Sequence, residues 1–143
     1  MNKDEYYIKI AEAVALKSKC LKKHYGAVIV NEDEIKGTGF NGPPRGEPHC
    51  ITCTKTCLGK DVAAYLNCRS VHAEQNAIIS VARKDMLGAT LYLAGYDCET
   101  QTYIDAEPCE ICLRLIKNAG IDKVVNAQGL IYLRNKEGIL EKC

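Results

Sequence analysis

The sequence has almost no excess of charge and no long apolar run. Its net charge is +1 with 26% charged residues, so a broad basic surface that captures nucleic acid is not expected. A small local phosphate pocket stays open to it. No apolar stretch reaches the length of a membrane span. The polar start Met1-Asn2-Lys3-Asp4-Glu5 shows no signal-peptide pattern. Repeats and low-complexity tracts are also missing. These absences point to the cytoplasm, where thiols stay reduced. In that compartment nine cysteines indicate metal binding before disulfides, and the odd count agrees. The chain has 143 residues, 47% of them hydrophobic. That suggests one globular domain, residues 1–143, around a single core.

Apolar periodicity divides the chain into elements. Tyr7, Ile10, Ala11 and Val14 follow helical spacing between Asp4 and Lys19, with Asn2 or Asp4 as cap. After a polar connection over 18–25, Gly26-Ala27-Val28-Ile29-Val30 reads as a buried strand. A turn at 31–34 leads to a second strand from Ile35 to Phe40, so the two form a hairpin. Glycines and prolines from Asn41 to Pro48 break regular structure. A second helix opens at Ser70-Val71-His72, with Ser70 as its cap and Ala77, Ile78, Val81 and Ala82 as its buried stripe. Ala89 to Ala94 is a strand, followed by a polar loop to Glu107 with room for a small hairpin. Pro108 suits the first position of another helix. Leu115, Ile116 and Ala119 continue its buried side, and Gly120 stops it. Residues 123–126 and 130–133 are the last strands, and 134–143 reads as a short helical tail. This order describes a three-layer α/β domain.

Two short runs carry the chemistry. His72-Ala73-Glu74 and Pro108-Cys109-Glu110-Ile111-Cys112 contain three metal-ligand types, His72, Cys109 and Cys112. Three ligands are one short of a closed tetrahedron, which is what a catalytic zinc needs. Glu74, two residues beyond the histidine, stands close to the metal without binding it, where a carboxylate moves protons. Helix starts at both runs favour anionic ligands. The plainer reading makes His72 a capping or core histidine and the cysteines buried hydrophobes. It leaves Pro108 and Glu74 unexplained.

A cysteine-rich insert at about 49–68 carries Cys50, Cys53, Cys57 and Cys68. With Cys20, any four of these five suit a structural second zinc, in a segment with few large apolar residues. Free thiols are the alternative, and spacing does not choose the four. Asn41 is a candidate for hydrogen bonds to a sugar, or it only closes its own turn. Lys22, Lys23 and Arg45 suit a phosphate, or they form a solvated basic surface.

The H-x-E…P-C-x-x-C arrangement is the signature of zinc nucleobase deaminases. Together with Gly26-Ala27-Val28-Ile29-Val30, Gly39-Phe40-Asn41-Gly42 and His72-Ala73-Glu74-Gln75-Asn76-Ala77-Ile78 it resembles the deoxycytidylate deaminase family, from about Tyr7 to Val125. The resemblance implies a cytidine-deaminase-like α/β/α fold with a five-stranded mixed sheet. It implies hydrolysis of dCMP to dUMP and ammonia. His72, Cys109 and Cys112 would hold zinc, Glu74 would shuttle protons, and Asn41, Lys22 and Ala73 would contact substrate. It further implies a homo-oligomer, hexamer or dimer, and control by dCTP and dTTP. Cys20 and Cys50 fall where some relatives place second-zinc ligands. Lys22 stands where relatives often carry arginine, which loses the bidentate fork for phosphate. The loop 95–107 is longer than usual. Other readings are a deaminase of another small base, nucleoside or nucleotide, a transfer-RNA adenosine deaminase, and a zinc module without catalysis. Glu74 beside a three-ligand site argues against the last.

Overall fold

Alternate residues of the central strands are buried on opposite faces, and that alternation sets the layers. A computed structural model describes residues 1–53 and 67–143. The elements are α1 (Lys3–Ala15), β1 (Lys23–Asn31), β2 (Glu34–Phe40), α2 (Ala73–Ile79), α3 (Arg83–Met86), β3 (Thr90–Asp97), β4 (Thr102–Ile104), α4 (Glu110–Ala119), β5 (Lys123–Asn126), β6 (Gly129–Arg134) and β7 (Leu140–Lys142). Ala27, Ile29, Leu91, Leu93 and Val124 face one way, into a core shared with Ala73, Ala77, Leu113 and Ile116 of α2 and α4. Val28, Val30, Tyr92, Ala94 and Val125 face the other, against Tyr7, Ile8 and Ala11 of α1. Strands covered on both faces read as continuous apolar runs, as these do.

The sheet order is β2-β1-β3-β5-β6-β7, with β4 also on β3. Among the described strands only β3 and β5 pair in parallel; the other pairs are antiparallel. β5 occupies one edge of β3 at Thr90–Tyr92, and β4 takes the same edge further on, at Gly95–Asp97. The described sheet therefore has seven strands, where five were expected. β4 is the small hairpin foreseen in the loop before Glu107. β7 replaces the helical tail. The Asn135 side chain accepts hydrogen bonds from the backbone N–H of Glu137 and of Ile139, and this turn folds the tail back on β6. Leu140 is then buried. A local turn and one buried leucine outweigh helix propensity there.

Helix starts also differ from expectation in detail. Asn2 caps α1 as expected: its Oδ1 accepts from the Glu5 N–H at 2.9 Å, and Glu5 returns a bond to the Asn2 N–H at 3.2 Å. α2 is capped at His72, not Ser70, whose hydroxyl instead donates to the Val71 carbonyl. Pro108 stands one residue before the Cys109 cap of α4. Leu115 and Ala82, expected inside, are exposed. Gly120 closes α4 in the left-handed region, φ 86°. Gly39 is glycine for a packing reason. A Cβ there would strike the Ala73 carbonyl and the Ala77 N–H of α2, so its bare backbone lets α2 sit directly on β2. Among the described residues no helix is long and apolar enough to cross a membrane.

Candidate metal centre and active site

Parallel pairing of β3 and β5 requires a crossover, and α4 provides it, so α4 starts beyond the C-terminal end of β3. α2 starts beside the end of β2, where Asn76 Nδ2 donates to the Phe40 carbonyl at 2.8 Å. Two helix starts thus meet at one end of the sheet, where open α/β folds hold ligands. His72 is the cap of α2 and Cys109 the cap of α4. The His72 N–H donates to Gln75 Oε1 at 2.8 Å, which fixes the backbone that carries the imidazole. The Cys112 N–H donates to Cys109 Sγ at 3.4 Å.

His72 Nδ1 lies 3.2 Å from Cys112 Sγ and 3.5 Å from Cys109 Sγ. The three donor atoms fall within 4.8 Å of one another, and no other group of His, Cys, Asp or Glu among the described residues converges in this way. Glu74, in the first turn of α2, is only 5% exposed. Burial holds its carboxyl above the usual carboxylate range. Burial also pushes the Cys112 thiol up, and the neighbouring Glu74 carboxylate pushes it further. A divalent cation among these groups reverses that, because it stabilises the thiolates. One imidazole nitrogen and two thiols make a borderline-soft set of the type that suits zinc, with one tetrahedral position left for a fourth ligand. Glu74 is not one of the three converging residues.

Residues 1–128 match the cytidine and deoxycytidylate deaminase zinc-binding region. The chain belongs to the cytidine and deoxycytidylate deaminase family. It is 39% identical over 128 residues to a deoxycytidylate deaminase of Mycobacterium phage D29, covering 85% of this chain and 91% of that one. Against a deoxycytidylate deaminase of Saccharomyces cerevisiae it is 35% identical, covering 87% of this chain but 37% of the yeast protein. Among solved structures, the dCMP deaminase of cyanophage S-TIM5 in complex with dCMP and dUMP superposes with a TM-score of 0.63 at 28% identity, over 88% of this chain and 82% of that one. A cytidine deaminase of Burkholderia pseudomallei, 19% identical with a TM-score of 0.56 over 100% of this chain and 92% of that one, shares the fold. The expected cytidine-deaminase-like fold is thus the observed one.

Among the described residues, the others anticipated for this deaminase-family chain lie outside the His72 group. Asn41 is buried, and its amide bridges the start of β1: Oδ1 accepts from the Tyr25 N–H at 2.8 Å, and Nδ2 donates to the Lys23 carbonyl at 2.9 Å. It therefore braces β1 rather than closing its own turn. Ala73 is wholly buried at the head of α2. Lys22 is exposed just before β1, and its carbonyl accepts from the Cys98 N–H at 3.0 Å. Cys20, Cys50, Cys53 and Cys68 line one cavity of about 40 Å³, together with His49 and Ser70. These residues line its wall, but their sulfurs are not among the donor groups that converge as the His72 group does. Cys57 lies outside the described residues. Gln75 went unnoticed in the sequence, although it sits three residues after His72 at capping-box spacing.

Proposed function

We propose that this chain hydrolyses dCMP to dUMP and ammonia, with His72, Cys109 and Cys112 as zinc ligands and Glu74 as the proton carrier. The observation that carries the reading is the meeting of His72 Nδ1 with two sulfurs beside a buried glutamate. Zinc held there supplies Lewis acidity that lowers the pKa of water towards about 7. Glu74 takes a proton from the attacking water and gives it to the ring nitrogen next to the amino carbon. It then takes the proton left on the newly added oxygen and passes it to the amine as the carbon–nitrogen bond breaks, so water's oxygen replaces ammonia with no net gain or loss of protons.

Asn41 keeps one N–H and one lone pair after its two backbone bonds, and these would serve the sugar. Ala73 has no polar side-chain atom and offers only its main chain. Lys22, exposed at the same end of the sheet, supplies charge for the phosphate. A homo-oligomer is supported by apolar side chains left exposed on the outer helices, Ile79, Ile111 and Leu115. Control by dCTP and dTTP rests on the family resemblance. A second zinc among Cys20, Cys50, Cys53 and Cys68, with Cys57 as a further candidate, is supported by their shared cavity.

Ammonia release from dCMP, CMP, deoxycytidine, cytidine, guanine and adenosine tests the function, with Glu74→Ala as control. Turnover of dCMP above the others is expected. Turnover of another member keeps the chemistry and overturns the substrate. Lys22→Ala is expected to raise KM for dCMP and leave deoxycytidine unaffected.

A further inference from the structure

Three consecutive residues just before the cysteine pair are each held from the C-terminal strands or the turn between β5 and β6. Asp105 Oδ2 accepts from Gln128 Nε2 at 2.6 Å. The Ala106 carbonyl accepts from Asn126 Nδ2 at 2.9 Å. Glu107 pairs with Lys142 of β7 at 2.8 Å. This stretch has no regular structure of its own, and it leads through Pro108 to Cys109. The outer two contacts lie on exposed side chains, where such pairs contribute little. The middle one is different. Asn126 is 3% exposed and Ala106 is 3% exposed, so their bond is dry. Asn126 Oδ1 also accepts from the Gln128 N–H at 2.9 Å, which fixes the amide's orientation and directs its N–H at Ala106.

We infer that Asn126 is a positioning residue for the cysteine half of the metal centre. The inference rests on Cys109 and Cys112 being zinc ligands. His72 is fixed separately, by Gln75 and by the seat of α2 on β2. The two halves reach the centre on different helices, so their separation depends on what locates each one. On the cysteine side, Ala106 is the buried backbone point nearest in sequence to Cys109 that a side chain from another element holds. A shift there carries through Pro108, whose ring limits rotation, to the Cys109 sulfur. Ligand geometry is demanding in a tetrahedral zinc site, and partners behind the ligands typically change metal affinity by about 10–100-fold.

The test measures zinc transfer from the purified zinc-loaded protein to a chromophoric chelator, at a temperature well below unfolding. Asn126→Asp keeps the shape and the acceptor for Gln128 but removes the donor to Ala106. It is expected to release zinc about tenfold faster or more, with a matching fall in kcat. Gln128→Ala, on an exposed side chain, loosens only the outer link and is expected to speed release about two- to threefold. Unfolding midpoints of the zinc-free forms separate this role from plain stability: a merely structural asparagine lowers the midpoint and leaves the release rate alone. Release from Asn126→Asp within twofold of the parent overturns the inference. If that variant does not fold, Asn126→Ala, which also removes the donor to Ala106 and adds no charge, takes its place, and release within twofold of the parent overturns the inference. Fast release with no dCMP turnover even in the parent retains the inference and rejects the substrate reading instead.

Discussion

Glu74 and Tyr7 are both buried acids held above their usual ranges, Glu74 by burial and Tyr7 by its hydrogen bond to Asp33, and they serve different tasks. Glu74→Gln keeps the volume and removes the titrating oxygen, so zinc content is expected to stay and kcat to fall by at least about 10²-fold. Near-parental turnover in that variant would remove Glu74 from the chemistry. Tyr7 has a structural task. Its hydroxyl donates to Asp33 Oδ1 at 2.6 Å and lies 3.0 Å from the Asp33 carbonyl, tying α1 to the β1–β2 turn. Its hydrogen bond to Asp33, with burial, pushes its pKa up to about 12. The folded state thus keeps a proton that the unfolded chain loses near pH 10. Stability from this pair is full below pH 10 and is lost as pH rises towards 12. Alkaline unfolding followed by circular dichroism is expected to show a shallower loss over that window in Tyr7→Phe. His72, Glu74, Cys109 and Cys112 were legible in the sequence because ligand chemistry restricts residue type. Asn126 was not, since a buried asparagine is identified by what it faces, and Ala106 is distant in sequence.

At the scale of elements, the hairpin and the helix seat make the sharper cases. Glu32 and Asp33 both have positive φ, 52° and 62°, as a two-residue hairpin turn of right-handed twist requires. Neither is glycine or asparagine. Glu32→Gly is expected to raise stability by about 0.5–1 kcal/mol, read as a shift of the denaturation midpoint in urea. Gly39→Ala is expected to cost about 1–3 kcal/mol, because α2 must move off β2. Since α2 carries both Glu74 and the cap at His72, activity is expected to fall more than stability. Strand existence was legible from apolar runs buried on both faces. β7 was not: three residues are too few for a period, and only the Asn135 turn and the pocket for Leu140 make them a strand. Both helices start later than Ser70 and Pro108 suggest, because the candidate metal-binding residues His72 and Cys109 hold the cap positions.

The whole molecule brings together residues that are far apart along the chain. Layer order followed from the sequence of elements, whereas the closeness of His72 to the cysteines followed only from the crossover that places both helix starts at one end. The thiol-lined cavity tests the second metal at this scale. Two zinc ions per chain by elemental analysis, falling to one in a Cys50→Ser, Cys68→Ser double variant, are the expected counts; one per chain in the parent removes that site.

His72 and Cys109 are 37 positions apart. An ion gripping both therefore acts as a rivet across the middle of the chain. In the chain-entropy treatment of a cross-link, closing a loop of that size is worth on the order of 4 kcal/mol, a large share of what holds a small protein folded. Chelation is then expected to lower the melting temperature as well as abolish turnover. A cell starved of the metal would lose the molecule to its proteases, so its abundance would track zinc supply with no dedicated sensor.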